Sequence, residues 1–112
     1  MSNDSSDAHS NAMHIEVRID AVVTLQELCS VCNTTSEFVG ELVAFGALEP
    51  LRGSGPHDWQ FHGVAVQRSR IAVKLQQNLE VNTAGAALIL DLLDELREAR
   101  ARMHLLEQLS DS

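Results

Sequence analysis

The chain has 112 residues, with 16 Asp and Glu against 8 Lys and Arg, a formal net charge of −8. A chain of this length folds as one domain that buries roughly 60–70% of its unfolded surface, which leaves little room for a deep catalytic pocket. The negative charge opposes binding to nucleic acid, and 45% hydrophobic residues with three Phe, one Trp and no Tyr describe a globular body with an aliphatic core.

Residues 1–13 are polar and low in complexity and are expected to be a disordered tail. They lack the apolar segment of a secretion signal, and no apolar run approaches the roughly 18 residues that cross a bilayer. The expectation is a cytoplasmic protein without membrane contact. From His14 to Ile19 apolar residues alternate with polar ones, the pattern of a short half-buried strand. A first helix is predicted from Thr24, with Glu27 three residues on completing a capping box and Leu25, Leu28, Cys29 and Cys32 forming its buried stripe. After the break Asn33-Thr34-Thr35, Thr34 and Glu37 repeat the capping signal for a second helix. It is expected to bury Phe38, Leu42 and Phe45 and to stop at Gly46.

The turn-rich run Arg52-Gly53-Ser54-Gly55-Pro56 leads into Trp59-Gln60-Phe61, one strand of a small hairpin. A third helix is predicted over 63–79, with Val64, Ile71, Leu75 and Leu79 facing inward and Arg68, Arg70 and Lys74 facing water. The order helix, turn, helix, wing places a winged helix-turn-helix body at 14–80 and a helical segment at 81–112. That last segment is rich in Ala, Leu, Glu and Arg. Ile89, Leu92, Leu96, Ala99, Met103 and Leu106 recur three and four apart, the seam of a coiled coil. Pairing with a second copy and folding back over its own domain both fit the pattern, and Glu95, Arg100, Arg102 and Glu107 suit either orientation of a pair.

Cys29 and Cys32 have the spacing of a redox dithiol or half a zinc site. They fall at the end of a helix on its core stripe, so they read as small buried hydrophobes rather than as thiol chemistry. His57, Asp58 and His62 gain no second carboxylate, and no metal or other cofactor is expected. Without a phosphate-binding loop or a nucleophile set in context, the chain reads as a non-enzyme.

The stretch from Asp20 through Leu51, which holds the two helices of the turn motif, carries five carboxylates and no Lys or Arg. A phosphate-binding motif would show the opposite sign. Glu37 and Glu41, four apart on one face, repel each other by a few tenths of a kcal/mol, a cost that a cationic partner relieves. Glu27, Glu37, Glu41 and Glu49, with Trp59 as an aromatic neighbour, are the candidate partner-binding residues.

The run ELCSVCNTTSEFVGELVAFGALEP, then WQF, then AVQRSRIAVKLQQNLEVNTAGAALILDLLDEL resembles the chaperone-modulator family CbpM over about Val23 to Leu96. The Gly46-x-Leu48-Glu49-Pro50 exit, the Trp59-x-Phe61 wing and the Asn82-x-Ala84-Gly85-Ala86-Ala87 opening of the last helix carry the resemblance by their order and spacing. It implies a mainly α, MerR-like winged helix-turn-helix with a helical tail. It also implies a protein that binds the J-domain of a DnaJ/CbpA-type co-chaperone and prevents it from stimulating DnaK. MerR regulators carry Arg and Tyr early in the second helix, where this chain has Phe38, Val39 and Glu41, which removes the expected phosphate contacts. A MerR-like transcriptional regulator that dimerises through the last helix on a palindromic operator is the competing reading.

Overall fold

The computed structural model describes Arg18 and residues 20–111. The polar tail and, apart from Arg18, the strand expected at His14 to Ile19 fall outside the described residues. Four helices and a two-stranded antiparallel sheet follow in the order β1 (Val22–Thr24), α1 (Leu25–Cys32), α2 (Ser36–Ala44), β2 (Gln60–His62), α3 (Gly63–Leu79) and α4 (Thr83–Asp111). The architecture is mainly helical, as expected.

α1 starts at the expected capping box. The Thr24 hydroxyl accepts from the Glu27 amide at 3.1 Å, and Glu27 Oε1 accepts from the Thr24 amide at 2.9 Å. Asn33 ends the helix in the left-handed conformation (φ 56°), which a short polar side chain tolerates. The expected cap of α2 is displaced by one residue: Thr35, not Thr34, accepts from the Phe38 amide at 3.1 Å. The backbone explains the slip, because the Thr34 amide donates to Cys29 O at 3.0 Å and so belongs to the exit of α1.

The end of α2 is a Schellman turn. Gly46 N–H donates to Val43 O at 2.9 Å and Ala47 N–H to Leu42 O at 2.8 Å, with Gly46 at φ +79°. Reversing the chain there sends Ala47 and Leu48 into the core and leaves Phe45 outside, 54% exposed. The expectation that Phe45 is buried is therefore corrected: a last-turn residue next to a reversal no longer follows the helical stripe.

The wing hairpin is minimal. Leu51 N–H donates to Gln60 O at 2.7 Å and Gln60 N–H to Arg52 O at 3.0 Å, while β2 pairs on its other side with β1, Val23 opposite Phe61. Gly53 (φ +120°) is required at the loop, since a Cβ would come within 2.7 Å of the Asp58 carbonyl oxygen. Phe61 is fully buried and takes the edge of Trp59 at 6.0 Å between ring centroids.

α3 has the expected bounds but only half of the expected inner face: Ile71 and Leu75 pack half-buried against the core, and Val64 and Leu79 do not. Ala65, Val66, Ser69 and Ala72 are buried, whereas Val64 and Leu79 are 45% and 61% exposed. Small side chains let α3 approach its neighbours closely, and that close approach outweighs the larger apolar residues on its other faces. α4 adds Ala86, Ala87 and Leu90 to the same core. Asn82 Oδ1 accepts from the Gly85 amide at 2.8 Å and starts it. Its seam residues Leu92, Leu96 and Met103 lie about half a turn from that docked face, 45–60% exposed, and every residue from Arg100 to Asp111 is exposed.

Candidate functional site

The outer side of α2 is built from Glu37, Gly40, Glu41, Ala44 and Phe45, which follow one another at helical spacing away from the buried Phe38, Val39 and Leu42. Glu37 and Glu41 are both exposed. Glu41 is also tethered: its Oε1 accepts from the buried Thr83 hydroxyl at 2.6 Å, so its carboxylate is held against the start of α4. Beside it lies a cleft of about 440 Å³ lined by Glu41, Ala44, Phe45, Asn82, Thr83 and Ala84.

The remaining candidates lie on other elements. Glu27 sits on α1 with its carboxylate engaged in the capping box. Glu49 is exposed on the loop after α2. Trp59 is half-buried and lines a second cleft of about 630 Å³, whose walls include Cys29, Ser36, Pro56 and His57. Asp58 at its rim is held below the usual carboxylate range by the Gly55 amide, with the Ser54 hydroxyl and amide and His57 adding to the effect. That carboxylate organises the loop.

Cations are organised differently from the expectation. Arg68 does not face water; its side chain is 20% exposed, with Nε donating to Ala47 O at 2.8 Å and one terminal nitrogen to Asp94 at 2.7 Å. A single guanidinium thus joins the exit of α2, α3 and α4. The ion pairs among the described residues join Arg18 to Asp20, Arg68 to Asp94 and Asp91, and Arg97 to Asp94. The glutamates of α1 and α2 stand outside them. Lys74 is exposed, and with Arg70 it borders a third cleft beside Cys32.

Cys32 is buried and its thiol contacts Val66 O at 3.5 Å. Burial pushes it up to about 11, against the lowering effect of Arg70 and with a smaller contribution from Cys29, whose own thiol is raised by partial burial. Such thiols are poor nucleophiles. Among the described residues no three His, Cys, Asp or Glu side chains come together to hold a metal ion, and no helix is long and apolar enough to cross a membrane.

The family model of the MerR HTH family regulatory proteins matches residues 23–108. A protein of Pseudomonas putida is 39% identical over 84 residues, which cover 75% of this chain and 82% of that one; a protein of Coxiella burnetii is 34% identical over 84 residues, covering 75% and 78%. Both bear the name Chaperone modulatory protein CbpM. The chain belongs to the CbpM family. Within this CbpM chain the second helix of the turn motif presents Glu37 and Glu41 where a phosphate reader would present cations. Two features of the site escaped sequence reasoning: exposed Phe45, which keeps helical register with buried Leu42, and the Arg68 junction, whose partners lie 21 and 26 residues away.

Proposed function

We infer that this chain is a chaperone modulator that binds the J-domain of a DnaJ/CbpA-type co-chaperone through the acidic side of its helix-turn-helix and so inhibits stimulation of DnaK. The observation that carries the reading is the exposed Glu37 and Glu41 on α2, in a stretch from Asp20 to Leu51 that contains no Lys or Arg. The names of its CbpM relatives support it. A cationic J-domain helix matched to this surface would be steered by complementary potentials and fixed in register. The role is non-catalytic and cytoplasmic, and it works by occupying the surface that DnaK needs.

Glu37, Glu49 and Glu41 are the proposed charge partners, with Glu27 and Trp59 at the margin. Because Glu41 also holds Thr83, reversing its charge would disturb the fold, and the clean test reverses Glu37 and Glu49. Titration calorimetry at low salt should show the parent binding an isolated J-domain and Glu37→Lys with Glu49→Lys losing about 100-fold or more, since each reversed charge turns an attraction into a repulsion. Undiminished affinity of that double variant would remove the two residues from the interface. The MerR-type regulator reading is favoured by the family match, and a gel-shift series against salt tests it: specific binding with a steep salt slope would support a DNA reader.

The outward seam of α4, Leu92, Leu96 and Met103 with Leu106, supports pairing with a second copy rather than folding back, because the docked face of the helix is the other one.

A further inference from the structure

We propose that the cleft at the junction of α2 and α4 receives an apolar side chain from a cationic amphipathic helix of the partner, with Phe45 as its anchor. The proposal rests on the reading of the α2 face as the partner-binding surface and adds the apolar contact that fixes position there.

Three observations lead to it. Phe45 is a large apolar residue left 54% exposed by the Schellman turn, on a helix whose other exposed side chains are mostly acidic or small. It borders a shallow, open depression with Ala44 and Ala84, so an incoming methyl or methylene group would meet the ring and these two methyl groups. Gly40, one turn before Ala44, has nothing within 4 Å of where a Cβ would sit, which leaves open space for another helix to lie close along α2.

The charge of the rim selects the occupant. Glu41 lines the cleft and Glu37 lies one turn before it on the same side of α2, and the tether from Thr83 pre-orients Glu41, which lowers the ordering cost of using it. An aromatic face beside a fixed carboxylate suits the aliphatic stems and charged heads of Lys and Arg, which can cover the ring while the head meets that carboxylate. A cationic helix with one apolar residue directed into the cleft satisfies both demands. A Phe ring covered on binding contributes a large apolar area to an interface.

The test uses the full chain and an isolated J-domain. Phe45→Ala should weaken binding by about tenfold or more in calorimetry, as an anchor residue does, with its thermal midpoint unchanged. Phe45→Leu should fall in between. Ala44→Gln, which fills the cleft while keeping the ring, should weaken binding too. Phe45→Ala within about twofold of the parent, alongside loss of binding in Glu37→Lys with Glu49→Lys, would overturn the anchor and leave the acidic reading intact. A parent chain that binds no J-domain would overturn both. Altered self-association of Phe45→Ala in sedimentation, with J-domain binding unchanged, would assign the cleft to a second copy and refute the proposal.

Discussion

Arg68→Met isolates what the guanidinium does, because methionine keeps much of the aliphatic stem and removes only the polar head. Two losses follow. The Ala47 carbonyl, on a residue 4% exposed, loses a charge-assisted donor at 2.8 Å, a contact worth about 1.5–3 kcal/mol when broken with the acceptor buried. The Asp94 pair has its carboxylate side chain 39% exposed, so water screens it to about 0.2–1 kcal/mol. Asp91, at 4.0 Å and 59% exposed, adds little. The expected total is about 2–4 kcal/mol, a large share of the stability of a domain this size. Urea unfolding followed by circular dichroism, with linear extrapolation, measures it directly. Asp94→Asn should cost only the ion-pair part. If Arg68→Met costs no more than Asp94→Asn, the bond to Ala47 contributes nothing and the guanidinium is merely a surface ion pair.

Leu96→Glu with Met103→Glu should turn a dimeric parent monomeric in sedimentation equilibrium while leaving its helicity unchanged; a parent that is monomeric at every concentration would refute pairing through α4. The thiol of Cys32 makes a pH prediction of defined sign. Its value rises from 9.0 to about 11 on folding, so the associated stability is fully present below the unfolded value and is lost as pH climbs toward the folded one. The urea midpoint should therefore fall between about pH 8 and about pH 10.5 in the parent and fall less in Cys32→Val, and equal slopes would show that the thiol is not responsible.

What the sequence made legible was local. The Thr24–Glu27 box, the Gly46 stop and the bounds of α3 each follow from residues within a turn or two of one another. The buried stripe of α1 was legible for the same reason. What escaped depends on distant partners. Val64 and Leu79 looked like core because they are large, yet the face that packs is the one whose small residues fit the space left by α1 and α4. Arg68 looked solvated because nothing nearby in the chain pairs with it. Phe45 kept perfect register with Leu42, and only the path of the backbone after Gly46 turns it out. Charge, by contrast, needed no register: the acidic character of α2 was readable from composition alone, although the tether of Glu41 to Thr83 was not.

The two ends of α4 differ in kind: its root is wedged into the core at Leu90, and its outer end from Arg100 to Asp111 is exposed throughout. Between Leu90 and Asp111 a helix is about 30 Å long, so a change of about 10° at the root sweeps the tip through about 5 Å. The Arg68 guanidinium sits near that fulcrum. It therefore helps to aim a lever arm far longer than itself, and its loss would show as displacement at the far end as well as in lower stability.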